Sequence, residues 1–251
     1  MRYDFIIIGG GIAGASAAYR LAVHGSVALL EMEDQPGYHS TGRSAAQFTE
    51  LYGNGPIRAL VRLSKDFLVS PPDGFTNAPI LTPRGAMFVA TDAQRPVIDA
   101  FVAMALEENC PVAELDVAGA RGIVPVLRAD AFESAVLEPA STDMDVHALH
   151  GGFLRGMRSR GGDIITNAEV TSLTRQDGVW RVETPAGGFE APVVVNAAGA
   201  WADVVAERAG VATIGLTPKR RTVILFDPPS DVAIDTWPMV IDADENWYFK
   251  P

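Results

Sequence analysis

The sequence Gly9-Gly10-Gly11-Ile12-Ala13-Gly14 stands between a short apolar run, Phe5 to Ile8, and a stretch of small and apolar residues from Ala13 to Val23. An unbroken apolar run of this length marks a strand covered on both faces, as in a parallel sheet. The small residues after it predict a helix lying close to that strand, ended by His24-Gly25. Ser26 to Leu30 then reads as a second apolar strand, closed by Glu31, 17 residues after Gly14. In such a βαβ opening, Gly9 permits the tight turn, Gly11 lets a pyrophosphate approach the backbone, and Gly14 lets the helix rest on the strand. The first helical turn offers N–H groups and a positive dipole end to the phosphates. Glu31 can accept from ribose hydroxyls, and its charge repels a 2′-phosphate. Glycines serving close packing alone would leave unexplained why strand, helix and acid all fall at the spacing this mechanism requires.

The dinucleotide that fits is FAD rather than NAD. A domain for NAD goes on through a second and third strand–helix unit, whereas here the second strand runs into a polar loop, Asp34 to Gln47. Long loops in compact domains tend to carry function. Beyond it the spacing predicts a helix over Pro56–Val69, strand, turn and strand over Ile80–Thr91, and an amphipathic helix over Arg95–Glu108. Asp143 or Asp145 caps a further helix running to about Arg160. Strands follow at Ile164–Ile165, Val170–Arg175, Gly178–Thr184 and Phe189–Val195, the middle pair joined by an Asp177-Gly178 hairpin signal. From Leu216 onward the pattern is that of antiparallel strands.

Composition narrows the function. The 251 residues carry 20 Lys+Arg against 31 Asp+Glu, a net charge of −11 that argues against nucleic acid as a partner. With 48% hydrophobic and 20% charged residues the chain has the material for a real core. Cys110 is the only cysteine, so no disulfide framework is expected and a reducing cytoplasm fits. No basic leader with a cleavage site is visible, and no stretch reaches the roughly 18 to 20 apolar residues of a membrane span. A cytoplasmic location is expected, with peripheral attachment to the inner membrane left open. The four histidines are too scattered for metal spacing, and no metal is expected.

Other residues read in two ways. Val193 to Val195 ends in Asn196-Ala197-Ala198-Gly199-Ala200-Trp201, small residues that admit a ligand or make an ordinary strand-to-helix turn. Lys219, Arg220 and Arg221 read as a solvated basic face. Strand alternation instead puts Lys219 and Arg221 on one face, with one of the three able to hold a carboxylate bidentately. Tyr52, Met239 and Tyr248 taken alone read as core or partly buried residues, and Cys110 as an inert helix residue.

The strings IIIGGGIAGASAAYRLAVHG, QPGYHSTGRSAAQFTELYG, RGIVPVLR, VVVNAAGAWAD, LTPKRR, WPMV and NWYFKP resemble those of the FAD-dependent amine and D-amino-acid oxidoreductases, which include glycine oxidase and sarcosine oxidase. Within that family the likeness is greatest to the D-arginine dehydrogenases of bacteria, over the amino-terminal two-thirds of their length. The resemblance implies that Gly9, Gly11, Ala13 and Gly14 meet the pyrophosphate, Glu31 and Met32 the adenosine ribose, and Val170 the adenine side. Ser40, Thr41, Gly42, Arg43, Ser44 and Gln47 would lie against the ribityl chain and flavin ring, with Gly199 also at the cofactor. Arg221 would pair with the substrate α-carboxylate, and Tyr52, Tyr248 and Met239 would line its pocket. Two departures stand out: Gln47 replaces a histidine, and Ala86 replaces the carboxylate that holds a cationic side chain. The reason to expect an arginine or lysine substrate is then missing. The family's chains also continue past Pro251, which implies a fragment.

The expected fold is therefore α+β: a GR2-type, Rossmann-like α/β FAD domain (1–78 and 141–213) and a substrate domain (79–140 and 214–251) with a mixed, largely antiparallel sheet. The resemblance implies noncovalent FAD and hydride transfer from the Cα of a D-amino acid to flavin N5, giving an imine that hydrolyses to a 2-oxo acid and ammonia. Oxygen or a quinone would be the electron acceptor. A glycine- or sarcosine-type amine oxidase and a noncatalytic nucleotide-binding fragment are the alternatives.

Overall fold

The computed structural model describes every residue except Pro229. It opens with β1 (Phe5–Ile8), α1 (Ile12–Leu21) and β2 (Val27–Leu30), and after the polar loop come β3 (Gln47–Phe48) and α2 (Gly55–Val69). Next are β4 (Leu81–Pro83), β5 (Ala86–Ala90), α3 (Arg95–Glu107), β6 (Ala113–Leu115), α4 (Val117–Ile123), β7 (Ser134–Glu138) and β8 (Thr142–Met144). Then follow α5 (Val146–Arg158), β9 (Asp163–Ile165), β10 (Ser172–Gln176), β11 (Val179–Thr184), β12 (Gly187–Ala191) and β13 (Val193–Asn196). The last elements are α6 (Ala202–Arg208), β14 (Met239–Asp242) and β15 (Tyr248–Phe249).

Two compact units result: Met1–Ser44, Pro72–Ala78 and Val146–Val223 form the first, and Ala45–Pro71, Pro79–Asp145 and Ile224–Pro251 the second. In the first, a parallel sheet of order β13-β1-β2-β9 stands beside an antiparallel sheet β10-β11-β12. Alternation sends Ile6, Ile8, Ala28 and Leu30 against Leu173, Val182, Phe189 and Ala191. It sends Ile7, Val27 and Leu29 against Ala18 of α1 and Met157 of α5. Both faces of β1 and β2 are thus covered, which is why these strands read as unbroken apolar runs.

The second unit holds a five-stranded mixed sheet, β15-β14-β5-β7-β6, and a small antiparallel sheet, β3-β8-β4. Only β14 with β5 is parallel in the larger one. One face of that sheet, with Met87, Val89, Ala135 and Val240, packs on Ala120 and Val124 at α4 and on Trp237. On the other face Phe88 and Val136 meet Ile98 and Phe101 of α3.

Several expectations change. Phe189–Val195 is two strands, because Pro192 has no N–H for a ladder and separates β12 from β13. The antiparallel strands expected from Leu216 are absent over 216–228: Val223, Ile224, Leu225 and Phe226 have strand-forming side chains but no ladder, and are 54–92% exposed. Strand propensity gives no strand without a partner. Cys110 lies just past α3, its N–H on the Ala105 carbonyl, rather than on the helix. The short helix α4, whose N-cap Asp116 accepts from Gly119 N, and the strands β6 to β8 fall where the sequence pattern marks a largely antiparallel region without bounds for single elements.

Candidate functional site

In the first unit the turn after β1 is made by Gly9 at φ +105, where a Cβ would come 2.4 Å from the Ala197 carbonyl oxygen. A Cβ on Gly14 would lie 1.8 Å from the Gly9 oxygen, so α1 reaches β1 only without a side chain there. Gly11 caps α1 and contributes no side-chain bond, and Ile12 N donates to Thr41 Oγ1 at 2.9 Å. Glu31, buried at the end of β2, accepts from Gly10 N at 2.8 Å and Glu33 N at 3.0 Å. Each carboxylate oxygen keeps a second acceptor position. The polar loop folds over this turn, with Gly42 N on the Gly37 carbonyl at 2.8 Å and His39 Nε2 on Glu33 Oε1 at 2.8 Å.

A cavity opens at this point. Of the residues expected at a cofactor, Gly9, Gly11, Glu31, Met32, Ser40, Thr41, Val170 and Gly199 line it together. Ala13, Gly14, Gly42, Arg43 and Ser44 are not among its lining residues. Gly14 serves helix packing, and the Arg43 guanidinium sits 4.8 Å from the centre of the Tyr38 ring. Gln47 belongs to the second unit, where its Nε2 donates to the Gly85 carbonyl at 3.0 Å. Trp201, which the sequence placed only at the end of the small-residue turn, also lines the cavity, its ring 4.6 Å from that of His39, and sequence reasoning missed Arg208, which holds Glu169 and the Val170 carbonyl. It also missed His150, a lone histidine on the buried face of α5, whose Nε2 is 2.8 Å from the Gly10 carbonyl. Burial holds the His150 ring below the usual histidine range.

In the second unit the register places Glu138, Ala86 and Met239 side by side across β7, β5 and β14. Tyr248 on β15 pairs with Ile241, two residues beyond Met239 on the same face. Ala86 and Met239 are buried, Tyr248 is half-buried, and Tyr52 is 62% exposed rather than partly buried. Ala86 stands where the resemblance puts a carboxylate, and by itself it offers a cationic side chain no partner. Its cross-strand neighbour is Glu138, 1% exposed, and side chains so paired share a face. Thr49 Oγ1 lies 2.6 Å from Glu138 Oε1 and itself accepts from Leu51 N at 3.1 Å, so its hydroxyl proton is free for the carboxyl. Oε2 has no partner among the described residues. Burial first, and then Glu50, push this carboxyl up to about 7, against the pull of the Thr49 bond.

The expected carboxylate anchor is placed differently from the strand reading. Lys219, Arg220 and Arg221 are exposed on a segment without strand, so no alternation separates them. In the second unit Arg84 is tied to Asp143 and the carbonyls of Asp235 and Trp237, and Lys250 to Asp143 and the Ala45 carbonyl. Burial, with Glu50 and Glu138 near, pushes the Cys110 thiol up. Among the described residues no cluster of histidine, cysteine or acids can hold a metal, and no helix is long and apolar enough to cross a membrane.

The cradle fits a dinucleotide: backbone left bare where a Cβ would collide, a helix start without a side-chain cap of its own, and a buried acceptor beside small residues. Residues 4–251 match the family described as FAD dependent oxidoreductase. The chain belongs to this FAD-dependent oxidoreductase family. FAD is accordingly its cofactor. It is 27% identical to the mitochondrial dimethylglycine dehydrogenase of Rattus norvegicus over 263 residues, covering 99% of this chain and 30% of the relative. To sarcosine oxidase subunit beta of Rhizobium meliloti it is 32% identical over 224 residues, 83% of this chain and 52% of the relative. The crystal structure of glycine oxidase from Geobacillus kaustophilus has the same fold, with a TM-score of 0.76 at 24% identity over 84% of this chain and 59% of that one. The chain thus spans about a third to a half of these curated relatives.

Proposed function

We propose that this family member oxidises the Cα–N bond of a D-amino acid, giving an imine that water hydrolyses to a 2-oxo acid and ammonia. The observation that carries the oxidoreductase reading is the glycine-lined cavity with Glu31 at its edge. The D hand rests on the resemblance of the strings, QPGYHSTGRSAAQFTELYG and LTPKRR above all, to those of D-arginine dehydrogenases. Bound FAD would supply the acceptor for the hydride that leaves Cα.

The chain's own part is holding and orienting. Arg221, exposed and without a partner among the described residues, takes the α-carboxylate with its planar fork. Met239, beside Ala86, and Tyr248, across from Ile241 on the same face, supply an apolar wall that keeps water from the reacting carbon, with Tyr52 adding a second aromatic surface. Gln47, tied to the Gly85 carbonyl, fixes the backbone next to Ala86. An amine that arrives deprotonated needs no protein base, so orientation carries the rate. FAD is held without a covalent bond, and oxygen or a quinone removes the electrons. The names of the two curated relatives favour a second reading, oxidation of an N-methylated glycine.

Mixing the FAD-loaded protein without oxygen against D- and L-amino acids, glycine, sarcosine and dimethylglycine separates these. A flavin band bleached by D-amino acids and untouched by their enantiomers is the expected result. Fastest bleaching by sarcosine or dimethylglycine selects the second reading, and no bleaching at all leaves a nucleotide-binding module.

A further inference from the structure

We propose that His150 is a positioning residue for the cofactor: through the peptide between Gly10 and Gly11 it aims the Gly11 N–H at the pyrophosphate. This rests on the FAD reading of the first unit's cavity. Both backbone polar atoms of Gly10 are claimed by side chains of other elements, its N–H by Glu31 Oε2 from the end of β2 and its carbonyl by His150 Nε2 from α5, each at 2.8 Å. A trans peptide is planar, with its C=O and the following N–H on opposite sides. Drawing the Gly10 oxygen toward α5 therefore turns the Gly11 N–H away from α5. Gly11 lines the cavity and His150 does not, so the side away from α5 is where a phosphate would sit.

Without that bond the peptide would turn easily, because glycine on both sides removes the Cβ clashes that restrain other residues. The imidazole is itself held in place. Gly37, at φ +83, packs so closely that a Cβ there would lie 2.9 Å from the ring. Burial favours the neutral ring, and a neutral ring has one N–H, which must be on Nε2 to donate to a carbonyl. The same histidine thus touches the glycine turn and the polar loop folded over it.

The test is the affinity of the full-length protein for FAD, read by flavin fluorescence, with ADP and adenosine as competitors. His150→Phe keeps the ring's bulk and removes the donor. It should weaken FAD and ADP about tenfold or more, the loss of one hydrogen bond to a charged group, and leave adenosine within about twofold. His150→Gln, whose amide N–H reaches the position of Nε2, should recover most of the loss. Unchanged FAD and ADP binding in His150→Phe overturns the proposal, as does a loss for adenosine as large as for ADP, the sign of a merely structural role. A parent protein that binds neither FAD nor ADP refutes the cavity reading instead. Should His150→Phe fail to fold, nitrogen NMR of the histidine rings in the parent still decides: a proton on Nε2 of His150 is required, and a proton on Nδ1 alone overturns it.

Discussion

In the first unit His150 is buried with Nε2 on the Gly10 carbonyl, while in the second Glu138 is buried with Thr49 on one oxygen and no partner among the described residues on the other. The two groups respond to pH with opposite sign. The His150 pKa is lowered by burial, so the unfolded chain takes up the proton first as pH falls and the first unit loses stability below about 6.5. Glu138 is raised from 4.5 to about 7, so the folded second unit holds a proton that the unfolded chain has released. Its stability falls as pH rises through that window. The difference teaches where each unit's chemistry lies: in backbone geometry for the first, in a side chain chosen by strand register for the second.

Substitutions that touch only one unit sharpen this contrast. Gly14→Ala should be the most damaging, because its Cβ would stand 1.8 Å from a carbonyl that belongs to the β1 turn. A loss of about 4 kcal/mol in denaturant unfolding is expected, and near-parent stability would show that α1 can slide off β1. Ala86→Glu should cost about 3 kcal/mol by the same measurement, since it sets a second carboxyl beside the buried Glu138. Were position 86 an open pocket surface, stability would hold and cationic D-amino acids would become better substrates. Glu138→Gln should abolish the decline in stability between pH 4.5 and 7, a decline of about 3 kcal/mol at most in the parent. A variant that keeps the parent's slope would mean that another group titrates there.

How much of this was legible in the sequence follows the same division. The first unit could be read because the glycine spacing, the apolar strands and Glu31 sit within about thirty residues, and each encodes a local backbone requirement. His150 was invisible there: nothing local reveals that position 150 meets position 10. In the second unit β5, β7 and β14 come from far apart in the chain, so Glu138 could not be placed opposite Ala86 from spacing alone. Val223 to Phe226 misled for the related reason that a strand-forming run says nothing about its partner.

Two smaller effects test the cofactor and substrate ends separately. Glu31→Ala should weaken FAD retention by about 1 to 3 kcal/mol, as expected for lost charged hydrogen bonds, with the second unit's unfolding unchanged. Equal retention would remove Glu31 from the ribose. Arg221→Lys keeps the charge and loses the fork, so kcat/KM for every amino-acid substrate should fall about tenfold. Unchanged kinetics would leave Arg221 a surface residue.

Acid precipitation of the purified, yellow protein, followed by chromatography of the supernatant, reads the first unit's cavity directly. One FAD per chain, all of it released, is the expected result, because the cavity is cut for a dinucleotide and the lone thiol, Cys110, belongs to the second unit. FMN in place of FAD, a colourless protein, or colour retained in the pellet would contradict it.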